Sequence, residues 1–234
     1  MPLSPPLAVA LLGLTVVMAA VFVLAAQGRT GPPADRRRGL CGGFAVAAVY
    51  LGVSGGLAAS GVLEDVDARP PAVGLMLGAF GVATVALGLS RVGDRLLTWP
   101  LAALVGFQAF RIAVEVWLAE AYDAGAVPAG VTVHGHNFDI VTGLTAAALG
   151  VWLWRGSPPR WVVWAWNVLG LVLLAVVVVT AALSAFGVVE TEPRMTLPTT
   201  WPGVWLPAWL VQLALLGHVL VFRALRRPAR RWEG

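Results

Sequence analysis

A chain of 234 residues would suit one or two soluble domains, but 59% of its residues are hydrophobic and only 12% charged, with a mean hydropathy of +0.82. That balance excludes an ordinary soluble protein and predicts an all-α membrane protein. All sixteen basic residues are arginine, so there is no lysine to form the Schiff base that a retinal-binding seven-helix protein requires.

A hydrocarbon core of roughly 30 Å takes about 20 apolar residues to cross as a helix. Seven stretches meet that demand, near 7–26, 40–62, 71–90, 97–118, 133–154, 161–185 and 205–222, and they leave almost nothing for a separate soluble domain. The whole of 1–234 therefore reads as a single transmembrane domain, a bundle of seven helices. The first stretch reads as an uncleaved span. Small residues near Ala25 and Ala26 resemble a cleavage site, but no basic segment precedes the stretch and the charge follows it. Small residues four apart mark expected packing faces: Gly52 and Gly56 in the second span, Gly74 and Gly78 in the third, and Gly135, Asp139, Gly143 and Ala147 in the fifth. The lone cysteine, Cys41, excludes an internal disulfide or CxxC motif and reads as a small buried thiol.

Alternate loops sort the arginines. Arg29, Arg36, Arg37, Arg38, Arg91, Arg95, Arg155, Arg160, Arg223, Arg226, Arg227, Arg230 and Arg231 fall on one side, against Arg69 and Arg194 on the other. The positive-inside rule then predicts an N-terminus outside and a C-terminus in the cytoplasm, as in a bacterial inner-membrane protein. Trp99, Trp152, Trp154, Trp161 and Trp164 fit an inner aromatic belt, and Trp117, Trp201, Trp205 and Trp209 an outer one. A sequence pI near 10.5 would suggest nucleic acid in a soluble protein. Here the charge lies in short loops beside spans, so the expected partners are the lipid bilayer and anionic lipids at the cytoplasmic face, not nucleic acid. Nothing in the sequence sets an oligomeric state.

Most of the chemical information lies between Gln108 and Asp139. Arg111 and Glu115 are four apart and share a helix face, with Gln108 one turn below. Counting from Trp117 and Trp154 places Arg111 roughly 9 Å inside the outer interface, Glu115 about 3 Å, Asp139 roughly 7 Å and Asn137 about 4 Å. An unpaired charge at such a position costs on the order of 2.5–3.5 kcal/mol. Arg111 is therefore expected to bridge Asp139, with Glu115 near His134, His136 and Asn137. His134, His136 and Asp139 have metal-ligand spacing, but residues two apart on a helix face nearly opposite ways and no third or fourth ligand follows. No metal and no cofactor is expected. Asn167, Gln212 and His218 are second-tier polar positions: Asn167 and His218 are placed to bond each other or a backbone carbonyl, and Gln212 to reach the outer cluster.

Three readings of the cluster stay open. Arg111, Glu115, Asn137 and Asp139 suit a pocket that binds or transports a small polar ligand or lipid headgroup. They also suit a lipid-modifying enzyme with Asp139 or Glu115 as general base, or a latch that only locks the fold of a structural subunit. No Ser-His-Asp order, HExxH, glycine-rich phosphate loop or Walker lysine is present.

From Arg111 to Gly143 the chain resembles a group of bacterial seven-helix membrane proteins of unknown activity. The likeness lies in Arg111 and Glu115, Gly125 and Pro128, Gly135-x-Asn137-Phe138-Asp139-Ile140 and Gly143. It continues through Trp166-Asn167-x-x-Gly170, Pro202-x-Val204-Trp205-Leu206-Pro207 and His218. His134 and His136 replace other residue types in that pattern. The resemblance implies a seven-helix fold and a shared polar site, with no known activity.

Overall fold

The computed structural model describes residues 3–135 and 137–227. These form helices with no strand among them. Proline sits at or just before the start of most of them, where its missing N–H leaves no intrahelical bond unmade. Thus α1 is Pro5–Ala26, α2 Pro33–Ala59, α3 Ala72–Leu89 after Pro71, and α4 the short Arg91–Leu96. Next, α5 runs Leu101–Asp123 after Pro100, tightened into a 3₁₀ turn at Phe107–Ala109. Last come α6 (Asp139–Arg155), α7 (Arg160–Ala185, after Pro159) and α8 (Leu206–Leu225), which opens with a π turn around Pro207.

Six helices, α1, α2, α3, α5, α7 and α8, are long and apolar enough to cross a membrane. The counterpart of the expected fifth span is α6, which has 17 residues and starts at Asp139 instead of 133. Between Val133 and Phe138 the sequence runs His-Gly-His-Asn, residues that interrupt a helix and favour a turn, and the continuous apolar run begins only at Ile140. About 17 residues is the low end of a spanning length.

Helix α8 is the axis of the bundle, 72% buried against 22–44% for the other five long helices. It contacts α3, α5 and α7. Its small residues Ala208, Ala214, Gly217 and Ala224 are buried and let neighbours approach. At one end of the bundle the arginines tie the elements together. Arg223 donates to the Gly88 carbonyl and to Asp94 (2.7 Å), Arg227 to the Leu97 carbonyl, and Arg160 to the Leu225 carbonyl. The backbone N–H of Arg29 donates to Thr98 at 2.8 Å. At the opposite end Trp117 donates its indole N–H to the Leu7 carbonyl, joining α5 to α1.

Several expected packing positions turn out differently. Gly52, Gly56 and Gly78 face outward, and a side chain on any of them would meet open space. The contact face of α2 is Gly39, Gly43, Ala47, Tyr50, Ser54 and Ala58. Its β-carbon-free surface at Gly43 lies against Ala26 and Val23 of α1. Cys41, two residues from Gly39, consequently points away and is exposed. Among the aromatic-belt positions, Trp152, Trp154, Trp161, Trp164 and Trp201 are exposed, but Trp117 and Trp209 are buried inside the bundle, Trp209 against Phe22 and Tyr50. A helical repeat of small residues does not say which of several small stripes meets protein.

These contacts distinguish two kinds of glycine. Gly43→Leu forces a side chain into Ala26 and lowers stability by about 1–3 kcal/mol, whereas Gly52→Leu stays within about 0.5 kcal/mol of the parent. Thermal melting of the detergent-solubilised variants measures the difference.

Candidate functional site

The site begins with the entry to α6. Asn137 turns the chain: its side-chain oxygen accepts the backbone N–H of Asp139 at 2.9 Å, which sets Asp139 as the first residue of the helix. A carboxylate there also faces the positive end of the helix dipole. Across from it, α5 presents Arg111. The guanidinium engages Asp139 through two donors, Nε to Oδ2 at 2.7 Å and Nη2 to Oδ1, a fork-to-fork pairing with both side chains buried.

The same guanidinium reaches a third helix. Arg111 Nη1 lies 2.9 Å from His218 Nε2 on α8. Arginine has donors only, so His218 Nε2 accepts and the ring proton sits on Nδ1. His218 Nδ1 then donates to Asn167 Oδ1 at 2.9 Å, and the Asn167 amide N–H donates to the His218 carbonyl at 3.1 Å. Asn167 therefore holds His218 at both its ring and its backbone. In this way α5, α6, α7 and α8 meet at one arginine.

The Trp166-Asn167-x-x-Gly170 segment of α7 has a physical reading here. Trp166 packs its ring beside His218, with centroids 5.8 Å apart. Gly170 lies under the imidazole, where a β-carbon would come within 2.6 Å of His218 Cε1 and 2.7 Å of the Thr142 methyl. Only glycine leaves that slot open.

Glu115, one turn above Arg111, is buried but separate from the ion pair. Both its oxygens accept from the Asn137 amide at 2.8 Å, and the same amide donates to the Val131 carbonyl at 2.9 Å. Among the described residues no arginine or histidine nitrogen comes within 4 Å of Glu115. Glu115, Arg111 and Asp139 line one wall of a cavity of about 260 Å³ between α3 and α7, floored by α5 and α8. The rest of its wall is apolar. A second cavity of about 340 Å³ continues it toward the middle of the bundle, sharing Leu77, Leu174, Val178, Pro207 and Val211.

The remaining sequence-predicted positions scatter. Gln108 is buried and donates to the Ala214 carbonyl at 2.9 Å, away from the ion pair. His134 stacks on Tyr122 with centroids 4.9 Å apart and does not join Glu115. His136 lies outside the described residues. Gln212 does not reach the outer cluster. It accepts from Thr84 at 2.9 Å and donates to the Pro207 carbonyl, and Thr84 in turn bonds Tyr50 at 3.0 Å. Six residues along α8 turn a side chain by about 240°, so Gln212 and His218 face different neighbours.

The contact between Arg111 and His218 was not foreseen, because depth counted along the helix locates Cα atoms. Side chains on a helix lean toward its N-terminus. On α5 that lean carries the Arg111 side chain back toward the start of the helix, within reach of His218. The available signal was that Arg111, Asn167 and His218 occupy three spans with few other polar groups to meet.

A family model described as a domain of unknown function (DUF8737) matches residues 70–226. No curated protein matches the chain, and no solved structure does.

The ion pair joins α5 to α6 inside the bundle. Arg111→Met alone costs about 3–5 kcal/mol by leaving Asp139 buried without its partner. The joint Arg111→Met, Asp139→Leu variant recovers most of that loss, as read by melting temperature and by the monodisperse fraction on size exclusion.

Proposed function

The chain belongs to the DUF8737 family, and because the matched region contains every member of the Arg111 network, we propose that it is a multi-pass membrane protein that binds a lipid-like amphiphile in the cavity between α3 and α7. In this reading the chain crosses a bacterial cytoplasmic membrane seven times, N-terminus outside. The 17-residue α6 counts as a crossing, and the cavity lies in the outer leaflet. The arginine-tied end of the bundle supports that orientation through the positive-inside rule.

The observation that carries the proposal is the shape and polarity of the cavity. It has an apolar groove open to the side, between two helices, with the Arg111–Asp139 pair and the separate Glu115 carboxylate at one end. Along α7 the lining runs from Ala185 to Leu171, about 21 Å of helix. Gly78 and Gly81 of α3 edge the inner part, where a β-carbon on either would meet nothing within 4 Å. An acyl chain fits such a groove with its head near the interface and its tail toward the bilayer centre.

Head recognition falls to Glu115. Arg111 is committed to Asp139 and His218, so its charge is already balanced and it serves as the frame of the site. Glu115 has only the Asn137 amide, and its oxygens can accept further hydrogen bonds. The matching head carries donors, an amine or hydroxyls. Arg111 and Asp139 accordingly supply the latch, and Glu115 with Asn137 the ligand contact.

Two variants test this without disturbing the ion pair. Gly78→Phe fills the groove from a position where the protein leaves room, and Glu115→Gln removes the charge while keeping the shape. Lipid mass spectrometry of the detergent-washed protein is expected to find one amphiphile retained by the parent and depleted by at least about tenfold in each variant, the loss of a charge-assisted contact or of burial worth some 1.4 kcal/mol or more. Equal retention in all three proteins would refute it.

A further inference from the structure

At the opposite end of the molecule, α1, α5 and α8 enclose a second apolar cavity, of about 410 Å³. Val21, Leu24, Ala103, Phe107, Leu216 and Leu220 are among its walls. It shares no lining residue with the groove between α3 and α7.

The mouth of this cavity is built and cationic. Gln27 and Trp99 line it at the arginine-rich end. Trp99 is fixed by its indole N–H to the Ala25 carbonyl at 3.0 Å, and the Arg29 guanidinium lies 5.9 Å from the Trp99 ring centroid. Arg36 donates to Gln27 Oε1 at 3.0 Å, which holds a second guanidinium at the same rim. Arg95 precedes the lining residue Leu96 and follows Asp94, whose carboxylate is taken by Arg223 and Arg227. Among the described residues, no carboxylate lies within 4 Å of Arg29, Arg36 or Arg95. Two cations without an acidic partner among the described residues, Arg29 and Arg36, thus stand at the entrance to an oily cavity, and Arg95 packs against Gly28 beside them.

We infer that this is a site for an anionic phospholipid, with the phosphate held among Arg29, Arg36 and Arg95 and the adjoining acyl chain in the cavity between α1 and α5. The match is one of charge and depth. Cations concentrate where a headgroup phosphate lies, and the apolar walls extend from there about 9 Å along α1, from Gln27 to Val21. The site is independent of the Glu115 groove and stands or falls separately.

Native mass spectrometry of the full chain, with phosphatidylglycerol and phosphatidylcholine at equal concentration, tests it. The expected result is one tightly held phosphatidylglycerol, no comparable phosphatidylcholine, and no competition by inorganic phosphate. Each of Arg29→Gln, Arg36→Gln and Arg95→Gln weakens retention about fivefold, and Ala103→Phe, which leaves every arginine in place, abolishes it by filling the cavity. If Ala103→Phe binds phosphatidylglycerol as the parent does, the attraction is a diffuse surface effect and the site is refuted. Equal retention of the two lipids, or displacement by phosphate alone, overturns it as well. Ala103→Phe provides a decisive reading even if an arginine variant fails to fold.

Discussion

The position of one guanidinium organises the two thirds of this protein that match its family. Arg111 carries donors only, and in an apolar bundle it cannot be left without acceptors. Asp139 supplies charge balance and His218 a neutral lone pair, which together place α5, α6 and α8 around one point. Asn167 adds α7 by fixing the imidazole that Arg111 needs. Each member requires the next: the carboxylate needs the helix start made by Asn137, and the ring needs the slot left by Gly170. Buried polar networks of this kind stabilise only when complete, since a half-satisfied one is worse than an apolar core.

That closure separates two tasks within a single cluster of charges. Arg111 and Asp139 neutralise one another, and their partners are all in the protein. Glu115 stands one turn away, facing a groove that is hydrocarbon apart from that neutralised pair. A carboxylate held by a single amide in such surroundings is the exception to the pattern of paired charge, and exceptions of that sort mark sites more often than packing does. The architecture supports it: α3 and α7 flank α8 with a gap between them, and Glu115 emerges at the end of that gap lined by Val73, Gly74 and Phe186.

The two ends of the bundle are built on different chemistry. At one end arginines reach carbonyls and Asp94 across elements, joining α3, α4, α7 and α8. At the other, indole N–H groups do similar work, Trp117 to Leu7 and Trp205 to Leu51. Trp205 also packs over Gly55, so the Pro-x-Val-Trp-Leu-Pro segment anchors α2 to α8. The second and third helices show the limits of reading small residues as contact faces: glycines without contacts at 52, 56 and 78 leave surface, and at 78 leave a groove.

Composition and hydrophobic run length were enough to determine an all-helical chain with helices apolar enough to cross a membrane, their approximate places and the partnership of Arg111 with Asp139, because burial in hydrocarbon admits few structures and few unpaired charges. They also located Asn137 beside Glu115. Tertiary structure alone decided that Arg111 extends to His218, that Gln212 serves Thr84 and the Pro207 carbonyl instead, and that α6 begins at Asp139. It alone decided which glycines touch protein and which leave space. The physical reason is that periodicity assigns a residue to a face of its own helix, whereas the identity of the neighbour on that face depends on how the helices are rotated and tilted against one another. Those rotations come from contacts between residues far apart in the chain, which no local pattern records.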